Sequence, residues 1–72
     1  MSKTIHQREY RQIVKSLKIA RKKANLTQKQ VAQTINRPQS YISKVEAGEQ
    51  RIDVIELKLF ADLYKKDIKY FL

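Results

Sequence analysis

Between Arg8 and Ala24, the residues Tyr10, Ile13, Leu17, Ala20 and Ala24 follow one another at alternating steps of three and four. That spacing keeps returning to one side of a 3.6-residue helix, so the segment is predicted to be an amphipathic helix whose apolar stripe needs a partner. The constraint is severe because little else can hold the chain together. There are 72 residues and no Cys, and the single His6 cannot assemble a zinc site alone. A domain of this size buries only about 60% of the surface that its unfolded chain exposes. Stability therefore has to come from efficient helix packing within one domain. No apolar run approaches the ~18 residues of a membrane span, and no basic head followed by an apolar stretch marks a signal peptide. The expectation is a soluble, cytoplasmic protein.

Charge narrows the choice of partners. Lys and Arg number 16 against 7 Asp and Glu, a formal charge of +9. The excess is uneven: residues 1–29 hold nine basic side chains and one acid, whereas residues 30–72 hold seven and six. Along the first helix Arg8, Arg11, Lys15, Lys18 and Lys22 repeat with the spacing of the apolar stripe, offset from it by about 100°. A basic stripe on a strongly basic chain points to polyanions, chiefly nucleic acid.

The only Gly and the only Pro, Gly48 and Pro38, stand ten residues apart and act as punctuation inside one domain. Asn25 tolerates the left-handed conformation that ends a helix. Thr27 followed by Gln30 is a capping-box pattern, with Leu26 placed to staple on Val31. The second helix buries Val31, Ala32 and Ile35 and stops near Asn36, because Arg37 precedes a proline. Pro38 suits the start of a third helix, in which Ile42 and Val45 face inward before Ala47 and Gly48 end it. Asp53 and Glu56 repeat the cap-plus-acid pattern, and Ile52 can staple on Leu57. The fourth helix runs to about Tyr64. Its stripe of Leu57, Phe60, Ala61 and Tyr64 is widened by Ile55, Leu59 and Leu63, which predicts burial on more than one side. Asp67 caps a final turn or two, in which Ile68, Phe71 and Leu72 close the core. The fold class is all-α, with five helices.

Two short capped helices joined by a turn of about four residues have the geometry of a helix-turn-helix. Once Ile42 and Val45 point inward, Gln39, Ser40, Ser43, Lys44 and Ala47 remain outside on the third helix. Gln can bond an adenine edge bidentately, Lys can reach O6 and N7 of guanine, and Ser serves as donor or acceptor.

The run Leu26 to Ala32 reads Leu-Thr-Gln-Lys-Gln-Val-Ala, and Gln39 to Gly48 reads Gln-Ser-Tyr-Ile-Ser-Lys-Val-Glu-Ala-Gly. Over roughly residues 13–72 this resembles, almost position by position, the Cro/cI-like helix-turn-helix regulators of phages and bacteria, the XRE family. The resemblance implies a compact five-helix lambda-repressor-like domain over 13–72, preceded by an N-terminal extension over 1–12. That extension lengthens the first helix, lies as an arm along DNA, or is disordered. The implied function is sequence-specific binding of double-stranded DNA by a transcriptional regulator, a repressor, with the third helix in the major groove. By carry-over, Gln39, Ser40, Ser43 and Lys44 take base-contacting positions. Gln28, Arg37, Tyr41 and Arg51 take phosphate-contacting ones, with Gln28 bracing Gln39 and half-buried packing as the other role open to Tyr41. Arg21 and Glu46 match a structural ion pair between the first and third helices, the other possibility being two independent surface charges. Asn36 and Lys65 depart from the pattern, standing where the family usually has Gly.

An enzyme is not expected, because the chain offers no Cys, no phosphate-cradling glycine loop and no acidic cluster for a metal, and His6 lies outside the matching stretch. No cofactor, metal or small-molecule ligand is evident, and no ligand-sensing domain. A membrane-surface role for the first helix is disfavoured, since its apolar stripe contains two alanines and is needed for the core. One module reads few base pairs, so the expected partner is a pseudo-palindromic operator bound by a homodimer, with Tyr70, Phe71 and Leu72 as the candidate contact surface unless all three belong to the core. The alternative is a protein-interaction module, such as the antitoxin of a toxin-antitoxin pair or the controller protein of a restriction-modification system.

Overall fold

The computed structural model describes the backbone of residues 2–72 and the side chains of residues 8–72. Met1 and the side chain of His6 lie outside the described residues. Helix α1 spans Ser2–Lys23, α2 Gln28–Thr34, α3 Gln39–Glu46 and α4 Val54–Leu63, and a single 3-10 turn covers Ile68–Tyr70. No helix among the described residues is long and apolar enough to cross a membrane.

The starts of the short helices are written in the local sequence. Thr27 accepts a hydrogen bond from the Gln30 backbone while the Gln30 side chain accepts one from the Thr27 backbone, so α2 opens on a complete capping box. At α4 only half of the motif forms. Asp53 accepts from the Glu56 backbone at 2.8 Å, but the Glu56 carboxylate turns to other partners. Pro38 supplies extended backbone before α3 without a side-chain cap.

All four helices end alike. The residue after each C-cap has positive φ: Asn25 at 60°, Asn36 at 58°, Gly48 at 77° and Lys65 at 58°. In each case the next amide reaches back to a carbonyl five residues earlier, as from Leu26 to Arg21, Arg37 to Ala32, Glu49 to Lys44 and Lys66 to Ala61. This is the Schellman arrangement, which satisfies carbonyls at the helix end. Asn36 and Lys65 thus adopt the backbone that a glycine would favour, Asn at little cost and Lys at a larger one.

The core gathers Leu17 and Ala20 of α1, Val31 and Ala32 of α2, Ile42 and Val45 of α3, and Leu57, Phe60 and Ala61 of α4, closed by Tyr64 and Phe71. Helix α3 packs against both α1 and α2. Leu26 and Ile52, the expected staple residues, are partly buried against this cluster.

Four expectations need correction. The fifth element is a 3-10 turn rather than an α-helix. Its amides bond three residues back, Tyr70 to Asp67 and Phe71 to Ile68, and the ring of Phe71 is buried there. Phe71 is accordingly core, 4% exposed, and unavailable as a contact residue, whereas Tyr70 is exposed and Leu72, expected to close the core, is 78% exposed and does not. The widened stripe of α4 is not buried on a second side, since Ile55 is 70% and Leu59 50% exposed. Hydropathy shows that a face is apolar without showing that the chain has anything to place against it.

Candidate nucleic-acid interface

Helix α3 is fixed by its inner residues. Ile42 and Val45 are fully buried, so the 3.6-residue period forces Gln39, Ser40, Ser43 and Lys44 outward, and all four are exposed. Among the described residues none of the four uses its side chain in a hydrogen bond or ion pair within the chain. The outer face of α3 is a row of unspent donors and acceptors, with one cation in its last turn.

Two carboxylates hold α3 from either side. On the flank toward α1, Arg21 grips Glu46 with two nitrogens, Nε to Oε2 at 2.6 Å and Nη2 to Oε1 at 3.1 Å. Its Nη1 donates to the Leu26 carbonyl at 2.8 Å, and Gln28 Nε2 donates to Glu46 Oε1 at 3.1 Å. One guanidinium and one carboxylate therefore tie α1, α3 and the start of α2 together. The pair is nearly dry, with side-chain exposures of 10% and 5%. The hydrogen bond to Glu46 holds the Arg21 guanidinium above its ordinary pKa, outweighing desolvation. Tyr64 lies within the field of this pair, and burial, followed by the Glu46 charge, pushes its phenol above the usual tyrosine range.

Glu56 is the second carboxylate, on the flank toward α4. Arg37 Nη2 pairs with its Oε2 at 2.8 Å, and the Tyr41 hydroxyl donates a short hydrogen bond to its Oε1. The Arg37 guanidinium also lies 4.9 Å from the centre of the Tyr41 ring. Burial and then the bond to Glu56 raise the Tyr41 phenol above its usual range. This cluster is wetter, with exposures of 49% for Arg37 and 19% for Glu56.

The structure thus brings Arg21, Gln28 and Glu46 together on one flank, and Arg37 and Tyr41 on the other around Glu56, a residue the sequence marked only as part of a helix start. Gln28 is spent on Glu46, and among the described residues no hydrogen bond joins it to Gln39; the charged acceptor makes the stronger bond. Arg51 stands apart, its guanidinium 5.1 Å from the centre of the Tyr10 ring, whose hydroxyl donates to the Gln50 carbonyl at 2.8 Å. This stacking connects the segment after α3 to α1, and neither Tyr10 nor Glu56 carried a binding signal of its own in the sequence. Of the α1 stripe, Arg8, Arg11, Lys15, Lys18 and Lys22 are all exposed.

A family model described as helix-turn-helix matches residues 17–71. The chain belongs to the XRE helix-turn-helix family. No curated protein and no solved structure matches the chain. The XRE match contains α2, α3 and both carboxylate clusters, and it begins at Leu17 within α1. It leaves Arg8, Arg11 and Lys15 outside the family's portion. The match supports a DNA-binding helix-turn-helix regulator, and α2 and α3 lie within the matched stretch.

Proposed function

We propose that this XRE-family protein is a sequence-specific, double-stranded DNA-binding repressor that lays α3 in the major groove and acts by occupying its site, without catalysis. The observation that carries the reading is the outer face of α3: Gln39, Ser40, Ser43 and Lys44 are exposed and unpaired on a helix fixed by the buried Arg21–Glu46 pair. A locked helix offers its side chains to base edges without first losing entropy in positioning itself. Lys44 and Gln39 are the specificity residues, and Ser40 and Ser43 bond whichever edge lies beside them. Arg37, Tyr41, Arg51 and Gln28, the last through the amide hydrogen that Glu46 does not take, contact phosphates and set the register on the duplex. Arg37 and Tyr41, held by Glu56 in the free protein, exchange that carboxylate for a phosphate. Arg21 and Glu46 serve the structure only.

Residues 13–72 form the binding domain, and residues 1–12 extend it. The protein binds a pseudo-palindromic operator as a homodimer, with half-sites about one helical turn apart, in a cytoplasmic, nucleoid-associated setting. Lys and Arg supply most of the affinity. If about six phosphates are neutralised, binding falls roughly a thousandfold between about 50 and 200 mM salt.

Selection of the purified protein against a randomised duplex pool at near-physiological salt tests the reading. Enrichment of a short inverted repeat is the expected result. Binding without enrichment of any sequence, or a flat salt response, overturns it.

A further inference from the structure

We propose that the exposed apolar ridge of α4 is a self-association surface, taking a second copy of this chain in an antiparallel α4-to-α4 pairing centred on Leu59. The ridge consists of Ile55 and Leu59, both exposed, continued by half-buried Leu63. Residues four apart share one helix face, so the three form a line about 12 Å long. The chain's own core leaves Ile55 and Leu59 unused, because α4 meets it through Leu57, Phe60, Ala61 and Tyr64 on the opposite side, while Leu63 at the end of the line packs partly against that core. In a folded domain an apolar line of this kind marks an interaction site when it is contiguous, as this one is.

Charge selects the occupant and its direction. Beside the ridge lie Lys58 and Asp62, both exposed and also four residues apart. A two-fold axis through Leu59 places Leu59 against Leu59 and sets Ile55 of each copy level with Leu63 of the other. It leaves the Lys58 and Asp62 edges of both copies on the same side. Lys58 of one copy then lies within about 3 Å, along the helix axis, of Asp62 of the other, and this happens twice. A parallel two-fold pairing puts these edges on opposite sides of the seam, where Lys58 and Asp62 of the two copies do not meet. The pattern is therefore complementary to itself in one direction only, as an isologous contact requires.

Two consequences separate this contact from ordinary stickiness. A single helix-on-helix contact is smaller than the about 1,200–2,000 Å² of stable interfaces, so the free protein is a weak dimer that a two-fold DNA site completes. Each copy also carries a formal charge of +9, while the exposed face of α4 is locally neutral, with Lys58 balanced by Asp62. Repulsion between the copies thus arises away from the contact, and salt relieves it. Self-association strengthens as salt rises, whereas DNA binding weakens.

The proposal names the surface behind the two-fold binding described above, and its test contains no DNA, so either can fail without the other. Sedimentation equilibrium of the full chain at about 0.1 M and about 1 M salt, where the screening length falls from about 10 Å to about 3 Å, is expected to show a dimer that tightens several-fold. Leu59→Glu is expected to weaken the dimer more than tenfold with an unchanged helical circular dichroism spectrum. At about 0.15 M salt, Lys58→Asp is expected to weaken the dimer and Lys58→Asp combined with Asp62→Lys to restore it; the swap keeps the test available should Leu59→Glu fail to fold. A monomer at both salts up to about millimolar protein, a dimer indifferent to these substitutions, or a double swap that restores nothing overturns the proposal.

Discussion

Helix α3 is gripped by a carboxylate on each flank, and the two grips differ in almost everything except chemistry. Glu46 is buried with Arg21 and tied to three helices through Gln28 and the Leu26 carbonyl. Glu56 sits at the surface with Arg37 and Tyr41, its arginine half in water. Desolvation decides what each can do. A dry pair is expensive to break, because the survivor is left charged and unpartnered, so it serves as a fixed joint. A wet pair is worth about 1 kcal/mol or less, because water and salt compete for both partners, so a phosphate can displace it. One flank sets where α3 lies; the other holds two phosphate-binding side chains ready beside it.

The largest effect that breaks this comparison is removal of the buried carboxylate. Glu46→Ala is expected to cost about 3–5 kcal/mol, a large part of the total stability of a small domain, by stranding Arg21. Chemical denaturation measures it. Replacing both partners with Arg21→Met and Glu46→Leu should cost markedly less, and equal losses would show that Arg21 and Glu46 are not one unit.

A smaller effect, confined to alkaline pH, sharpens the same contrast. The Tyr64 phenol, raised by burial and by Glu46, keeps its proton in the folded state above the ordinary tyrosine pKa of about 10, at which the unfolded chain ionises. Its contribution is therefore complete below pH 10 and declines as pH rises beyond it. Denaturation midpoints between about pH 9 and pH 11 should fall with pH, and Tyr64→Phe should flatten the fall. Tyr41→Phe tests the wet flank in the same way, since burial and the bond to Glu56 raise that phenol too.

The smallest stability effect carries the most functional information. Glu56→Gln should cost less than about 1 kcal/mol. By releasing Arg37 and removing a negative charge near the proposed phosphates, it should tighten duplex binding at low salt and steepen the salt dependence by about one unit. Binding titrations across a salt series check both. A loss of affinity would mean that Glu56 positions Arg37 and Tyr41 for DNA rather than restraining them.

What could be read without coordinates follows the range of the forces involved. The capping box at Thr27, the proline before α3 and the left-handed Asn36 are governed by residues within a turn or two of one another, and their types declare them. The outward row from Gln39 to Lys44 follows from periodicity once Ile42 and Val45 point inward. Glu56 could not be read in this way. Its sequence neighbours mark it as a capping-box acid, and it leaves that role because tertiary packing brings Arg37 and Tyr41, 19 and 15 residues earlier, within hydrogen-bonding distance. Ile55 and Leu59 mislead for a related reason, since apolar character is local while burial depends on what the rest of the chain supplies. Phe71 lay in the last turn, where a core residue and a contact residue look identical until the backbone tightens into a 3-10 turn.

The account rests on a division of labour between a reading face on α3 and phosphate contacts around it. Base preference measured position by position on the selected duplex, for the parent protein beside Lys44→Ala and Arg51→Ala, tests that division most directly. Lys44→Ala is expected to relax preference at one base position at a cost of about 1–3 kcal/mol, whereas Arg51→Ala should weaken every sequence alike and lower the salt slope by about one unit. Uniform losses from both substitutions, with the preference profile intact, would contradict it.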